Sequence, residues 1–263
     1  MGPDSAEVES GLSFFVYMFS FKQFAIRQEH CAMKVGTDGV LLGAWARVAH
    51  CSHILDVGTG TGLVALMAAQ RSGAHIVAID LDADAVRQAA ENIASSPWSN
   101  RVRVVKADVR AVSCEELLVD GKAGDAALQA SLAFDALLCN PPYFENSLKS
   151  PDAARTMARH TDTLSFDELA QSASRLLTSQ GELSVVIPYD RVADMTVSAA
   201  CYGLFATRQT IVVPVEGGKP KRMLMAFTRH GATHTPGTLC IHDQQRNYTP
   251  EYVQLVKEFY LKM

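Results

Sequence analysis

Short apolar runs rich in β-branched residues recur along the chain, and segments with helical spacing separate them. Five of these runs predict strands at residues 53–57, 75–79, 102–105, 134–139 and 182–187. Strands that alternate with helices form a parallel sheet, because each helix buries its apolar stripe against a face of that sheet. The pattern therefore predicts an α/β fold with a mostly parallel sheet.

The intervening segments predict helices at residues 63–69, 83–94, 166–177 and 191–200. Asp82 stands where an N-cap is expected for the second of these helices. One apolar stripe of that helix is expected to face the sheet, and it consists of Ala85, Val86, Ala89, Ala90 and Ile93.

Two further strand-like runs follow, at residues 210–213 and 223–228, and they are joined through Gly217, Gly218 and Pro220. A glycine-containing connection between two such runs is typical of an antiparallel hairpin. We therefore expect seven strands, mostly parallel, with a C-terminal antiparallel hairpin that closes one edge of the sheet.

The chain is expected to form one domain, residues 18–263, with two additions to its core. Residues 1–17 show no pattern that continues into the rest of the chain, and Met18 is itself a plausible start. We expect residues 1–17 to be a leader that is disordered or was added for expression. Residues 111–133 contain glycines and a run of small residues, which predicts a surface insertion before the fourth strand.

Composition excludes several classes of protein. The chain has 263 residues, 48% of them hydrophobic, and no apolar run approaches the length of a membrane-spanning helix. Its start is acidic rather than basic, unlike a signal peptide, so a cytoplasmic location is expected. The net charge of −4 argues against a strongly basic surface that coats nucleic acid, so any RNA must be held locally. A monomer is favoured.

Neither the cysteines nor the histidines predict a metal site. The six cysteines include no CxxC pair, and we expect reduced, mostly buried thiols. His230 and His234 lie in a Gly/Thr/Pro-rich stretch without a carboxylate or thiol close by. The sequence therefore indicates chemistry that needs no metal.

A glycine-rich segment that includes Asp56, Gly58 and Gly60 stands where the first predicted strand turns into the first helix. Glycines at this place let the backbone approach a bound nucleotide closely. Asp80, at the end of the second strand, suits the hydroxyls of a ribose. A dinucleotide-binding enzyme and a tight packing turn are the alternatives at this point.

Two acidic residues favour S-adenosylmethionine over a nicotinamide. Asp56 precedes the glycines, and Asp108 ends the third predicted strand, where its carboxylate could accept from an adenine amine. The alternative for Asp108 is a helix cap.

The segment Asn140-Pro141-Pro142-Tyr143 follows the fourth predicted strand, at the sheet edge where α/β proteins bind ligands. The side-chain oxygen of Asn140 and the carbonyl of Pro141 can accept from the two N–H groups of a planar amine, whose nitrogen then becomes a better nucleophile. Successive prolines fix the direction of that carbonyl, and Tyr143 offers a face on which a base can stack. The alternative is an ordinary proline turn.

These motifs together resemble the class I methyltransferases that modify exocyclic or amide nitrogens, which implies a Rossmann-like fold and S-adenosylmethionine as cofactor. The chain from about Phe19 onward is similar, more closely, to the bacterial valine tRNA adenine N6-methyltransferases. The segments that carry this likeness are FKQF, CAMKVGTDGVLLGAWA, NPPYF, ARHTDTLSFDEL, RMLMAF and FYLKM. That family methylates the adenine beside the anticodon.

The resemblance also implies residues for the cofactor. It places Lys34, Thr37 and Asp38 near the methyl donor and assigns Asn140 to the cofactor as well as to the target nitrogen. The alternative for Thr37 and Asp38 is a helix N-cap.

Two groups of basic residues are candidates for binding the RNA backbone. One follows the NPPY segment and the other lies at the hairpin turn, and both could instead be solvated surface. The candidates are Arg155, Arg159, His160, Lys219, Lys221 and Arg222.

Three other functions compete with tRNA methylation. A release-factor glutamine methyltransferase also uses NPPY, but its helical recognition domain has no counterpart in the short stretch before the glycine turn. A DNA adenine methyltransferase needs a target-recognition region larger than the insertion or the C-terminal tail. A non-catalytic RNA-binding module has no need of an intact NPPY segment.

Overall fold

The computed structural model describes residues 18–29, 34–118, 133–141, 164–231 and 235–263. A two-stranded antiparallel ribbon and one eight-stranded sheet organise these residues. The ribbon consists of β1 (Met18–Ser20) and β2 (Ala25–Arg27). The strands of the large sheet are β3 (His53–Val57), β4 (His75–Asp80), β5 (Val102–Lys106), β6 (Phe134–Cys139), β7 (Leu177–Pro188), β8 (Phe205–Val215), β9 (Arg222–Thr228) and β10 (Gly237–His242).

The large sheet has the strand order β10-β8-β9-β7-β6-β3-β4-β5. Only β9 runs against the other seven strands. The segments that follow β3, β4, β5, β6 and β7 therefore leave the sheet at one common edge, which we call the carboxyl edge.

Helices cover both faces of this sheet. They are α1 (Thr37–Trp45), α2 (Leu63–Arg71), α3 (Ala83–Ala94), α4 (Cys114–Leu118), α5 (Phe166–Leu176), α6 (Val192–Cys201) and α7 (Pro250–Val256). Successive residues of β3 enter opposite layers, since Ile54 packs in the core that contains α1 and α2 and Leu55 packs in the core that contains α5. This is the α/β arrangement that the pattern predicts. In the described part of the chain, no helix combines the length and the apolar character needed to cross a membrane.

The expected count of seven strands is wrong, because an eighth strand, β10, pairs in parallel with β8. The β8–β9 hairpin exists as predicted, yet β10 covers its outer side and so the hairpin does not close the edge. The short segment Gly237–His242 includes exposed and half-buried positions, which give a weak signal for a strand.

The apolar stripe of α3 also needs correction. The helix begins and ends where predicted and Asp82 is its N-cap, but Ala90 is exposed and Val86 is only half-buried. Gln88 and Asn92 face inward instead, and their amides bond to backbone groups of the neighbouring segments. Polar side chains can occupy a buried stripe when every polar group finds a partner.

Part of the predicted surface insertion is core. Val112, Cys114 and Leu117 are buried and belong to the core that contains α5, whereas Glu115 and Glu116 between them are exposed. Residues 119–132 and the predicted leader lie outside the described residues. The five described cysteines form no disulfide, but only Cys114 and Cys139 are buried, so the expectation of mostly buried thiols is wrong for this set.

Candidate functional site

The glycine turn after β3 has a backbone that few other residues could adopt. Gly58, Gly60 and Gly62 have φ angles of 68°, 54° and 84°, all in the left-handed region. A Cβ built on Gly58 would meet no atom within 4 Å, so the space beside this glycine is open. The turn therefore exposes its backbone toward the carboxyl edge, where a ligand can approach it.

Asp56 stabilises the glycine turn through hydrogen bonds of its carboxylate. Its side chain is buried, and Oδ2 accepts from the Thr59 hydroxyl at 2.6 Å and from the Ala65 backbone N–H at 3.2 Å. Burial raises the pKa of Asp56 from 3.8 to about 7, against the lowering effect of those two hydrogen bonds. Asp56 thus fixes the turn and does not reach the ligand space itself.

Asp80 ends β4 beside the turn. One of its carboxylate oxygens accepts from the Gly60 backbone N–H at 2.9 Å and the other from the Asp82 N–H at 3.0 Å. Each carboxylate oxygen can accept a second hydrogen bond, so Asp80 retains capacity for the hydroxyls of a ribose.

A cavity of about 530 Å³ opens between the ends of β3, β4, β5 and β6. This volume is ordinary for a site that encloses a small molecule. The lining residues are Val57, Gly58, Ile79, Asp80, Leu81, Asp82, Ala107, Asp108, Val109, Arg110, Cys139 and Leu164. The structure thus brings together Gly58, Asp80 and Asp108, which the sequence analysis had singled out separately.

Asp108 lies in the cavity wall and is paired with Arg110. The Nη2 of Arg110 donates to Asp108 Oδ2 at 2.7 Å, and these hydrogen bonds lower the pKa of Asp108. The residues that follow Asp108 form a turn and not a helix, so the alternative of a helix cap is wrong. Arg110 is a site residue that the sequence did not predict, and its close spacing from Asp108 is the only signal in the sequence that points to it.

Asn140 follows β6 directly, next to the cavity-lining Cys139. Its Oδ1 atom is buried and finds no hydrogen-bond partner among the residues that the structure describes. Such an atom costs free energy until a donor reaches it. Pro141 is buried beside it, and Pro142 and Tyr143 lie outside the described residues.

The segment with Lys34, Thr37 and Asp38 leads into α1. Gly36 is the N-cap of this helix and makes no side-chain cap, so the alternative that Thr37 or Asp38 is the N-cap is wrong. Lys34 and Thr37 are exposed, and neither lines the cavity. Asp38 accepts from Arg222 Nε at 2.8 Å, which ties the start of α1 to β9 at the carboxyl edge.

The basic candidates differ in how free they are. Lys219 and Lys221 are exposed in the β8–β9 turn at the carboxyl edge, whereas Arg222 is half-buried and paired with Asp38. Arg155, Arg159 and His160 lie outside the described residues. No group of His, Cys, Asp and Glu side chains that could hold a metal ion occurs within the described ranges.

Residues 54–181 match the family model described as a methyltransferase domain. A tRNA1(Val) (adenine(37)-N6)-methyltransferase from Phocaeicola vulgatus is 47% identical over 245 residues, which are 93% of this chain and 98% of that protein. A protein of the same name from Tolumonas auensis is 40% identical over 94% of this chain and 98% of its own length.

Among solved structures, a crystal structure from Agrobacterium tumefaciens described as a predicted O-methyltransferase superposes with a TM-score of 0.58. The alignment covers 84% of this chain and 96% of that one at 22% sequence identity. At this identity the likeness shows the shared fold and carries no conclusion about substrate.

Proposed function

Because the chain belongs to the bacterial tRNA1(Val) (adenine(37)-N6)-methyltransferase family, we propose that it transfers a methyl group from S-adenosylmethionine to the exocyclic N6 of an adenine in tRNA. By the name of its relatives, the target is the adenine beside the anticodon of a valine tRNA. Such a substrate implies an enzyme of the cytoplasm.

The observation that carries this proposal is the buried Oδ1 of Asn140, which has no hydrogen-bond partner among the described residues. An exocyclic amine has two N–H donors. A preorganised carbonyl oxygen in a site that excludes water forms a stronger hydrogen bond to the amine as positive charge develops on the nitrogen. The backbone carbonyl of Pro141 is the second acceptor, because proline supplies a carbonyl without a competing N–H. The pair draws the nitrogen from planar toward a tetrahedral, attacking geometry.

The cavity suits the nucleoside end of the cofactor. Asp80 has acceptor capacity for ribose hydroxyls, and the open space beside Gly58 admits a ligand close to the backbone. We assign the purine to the part of the cavity that Asp108 lines. Bound S-adenosylmethionine supplies a methyl group activated by its sulfonium charge. Lys34 and Thr37 are proposed to approach the methyl donor from the start of α1.

Holding the tRNA requires contacts with base and phosphate. We propose that the target base stacks on the ring face of Tyr143. We further propose that Pro142 fixes the direction of the Pro141 carbonyl, the second acceptor. We propose that the exposed ammonium groups of Lys219 and Lys221 contact phosphates. Arg222, which is half-buried and paired with Asp38, is the third basic residue of this group. Arg155, Arg159 and His160 form the second proposed phosphate contact.

The test offers a labelled methyl donor separately to tRNA lacking the modification, to duplex DNA and to a release factor. Label in tRNA alone, recovered as N6-methyladenosine by nucleoside mass spectrometry, is the expected result. Asn140→Ala should lose the label, and Asn100→Ala, an exposed residue that precedes β5 at the opposite edge, should keep it. Label in the release factor would replace the proposal with glutamine methylation, and no label in any substrate would favour a binding module.

A further inference from the structure

Arg110 occupies the cavity wall between two acidic side chains. Its backbone N–H and Nε donate to Asp108 Oδ1 at 2.9 Å, Nε also donates to Oδ2 at 2.9 Å, and Nη2 donates to Oδ2 at 2.7 Å. On its other side, Nη1 reaches Glu168 Oε1 at 3.3 Å. One guanidinium therefore joins the end of β5 to the first turn of α5.

The contacts with Arg110 leave Asp108 with little spare capacity. A carboxylate offers about four acceptor positions. The four contacts with Arg110 come from only three hydrogens, because the single Nε–H is shared between Oδ1 and Oδ2, and these three hydrogens occupy most of the positions. About one position remains, and the bidentate guanidinium prevents the carboxylate from rotating about its bond. Asp108 is thus held in one orientation with room for a single donor.

The contact with Glu168 ties Arg110 to the start of α5. Glu168 Oε2 accepts from the Ser165 backbone N–H and from its hydroxyl, both at 2.8 Å, and Ser165 caps α5 in return. Leu164, the residue before this cap, lines the same cavity as Asp108. Arg110 therefore connects the polar lining residue Asp108 with the segment that carries the apolar lining residue Leu164.

We propose that Arg110 is a positioning residue for the purine of the cofactor, acting through Asp108 to select a ring with an exocyclic amine. The inference rests on the proposed function, which supplies the adenine of S-adenosylmethionine as the ligand. The single free acceptor position of Asp108 fits one N–H of that amine. A purine with a carbonyl at the same place would set one acceptor against another and lose the contact.

Calorimetry with two ligands tests this selection without any methyl transfer. The ligands are S-adenosylhomocysteine and its deaminated analogue S-inosylhomocysteine, which carries a carbonyl in place of the amine. The native chain should prefer the first by tenfold or more. Arg110→Met should lower this preference by about tenfold, mainly through weaker binding of S-adenosylhomocysteine, with binding of the deaminated ligand changed less than threefold.

Two further variants keep the test decisive. Arg110→Lys retains the positive charge but cannot form the bidentate contact of a guanidinium, so its preference for S-adenosylhomocysteine should lie between those of the native chain and Arg110→Met. If Arg110→Met does not fold, Arg110→Lys takes its place in the test. Arg87→Met removes an exposed arginine from an ion pair with Asp84 on α3 and should leave both affinities unchanged.

A purely structural role for Arg110 would weaken both ligands equally, and that result would overturn the inference. Unchanged affinities in both Arg110 variants would overturn it as well. If the native chain bound neither ligand, the proposed function itself would fail, and this outcome is distinct from the other two.

Discussion

Asp56 lies on β3 and Asn140 directly follows the neighbouring strand β6, yet the fold leaves the two side chains with different capacity for hydrogen bonds. Asp56 pairs in register with Leu138 of β6, two residues before Asn140. Its carboxylate accepts one hydrogen bond from the Thr59 hydroxyl in the glycine turn and one from the Ala65 N–H in α2, whereas the Asn140 oxygen accepts none within the described residues. At the scale of the residue, this difference separates a carboxylate whose hydrogen bonds hold the site together from an amide oxygen that none of the described residues contacts through a hydrogen bond.

The raised pKa of Asp56 makes the stability of the ligand-free protein depend on pH. Between the unfolded value of 3.8 and the folded value of about 7, the folded chain binds more protons than the unfolded one. The contribution of Asp56 is therefore greatest below pH 4, falls as pH rises through this window and is constant above it. Urea unfolding of Asp56→Asn should lack a fall of about 1 to 4 kcal/mol that the native chain shows.

Asp84→Asn, which removes an exposed carboxylate from the first turn of α3, is the control and should keep the fall. Equal pH dependence in the native chain and in Asp56→Asn would contradict the assignment.

Asn140 should act chiefly in the transition state, because its oxygen gains most when the adenine nitrogen becomes tetrahedral and positive. Asn140→Ala should lower turnover about 100-fold or more and leave the affinity for tRNA nearly unchanged. Single-turnover kinetics on unmodified tRNA, with binding measured separately, give the two quantities. A proportional loss of affinity would show that Asn140 binds the ground state instead.

Tyr143 should differ from Asn140 in the same assay. Stacking depends on the ring face, so Tyr143→Phe should keep most activity and Tyr143→Ala should lose the positioning of the base, at a cost of about 1 to 3 kcal/mol. If Tyr143→Phe were as damaged as Tyr143→Ala, the hydroxyl would carry the function.

At the scale of the element, buried regular segments were predictable and contacts distant in sequence were not. The strands His53–Val57 and Phe134–Cys139 and the helix Ala83–Ala94 have the bounds that their patterns predict. β10 was missed because only two of its six positions are buried. The inward Gln88 and Asn92 were missed because their partners lie far away along the chain. The cavity motifs were readable because each directly follows a strand, whereas the link from Arg110 to Glu168 needs the fold.

Helices α1 and α2 pack so closely at Gly43 that a larger side chain does not fit there without a shift. A Cβ on Gly43 would lie 2.7 Å from the sulfur and 2.8 Å from the Cβ of Met67. Gly43→Ala should therefore destabilise the fold by about 1 to 3 kcal/mol, even though alanine favours an isolated helix.

Gly73→Ala is the matched change, because a Cβ there would meet no atom within 4 Å, and it should stay within about 0.5 kcal/mol of the native chain. Chemical denaturation compares the two. A Gly43→Ala chain as stable as the native one would mean that α1 and α2 can separate without cost.

At the scale of the whole molecule, charge and topology together constrain how RNA can be held. The chain has a net charge of −4, so its overall field does not attract a polyanion. The parallel strands nevertheless bring Asn140 and the exposed Lys219 and Lys221 to the same carboxyl edge. Binding should then rest on a few local phosphate contacts.

A few contacts imply a shallow dependence of tRNA affinity on salt. Each phosphate neutralised on a single strand contributes a slope of about 0.7 to the plot of log K against log salt concentration. Replacing Lys219 and Lys221 together by alanine should lower the slope by about 1.4 if each holds one phosphate. Arg47→Ala removes an exposed charge from the segment before β3, at the opposite edge, and should leave the slope unchanged. Equal slopes for the double variant and the native chain would show that Lys219 and Lys221 in the β8–β9 turn do not contact phosphates of the RNA.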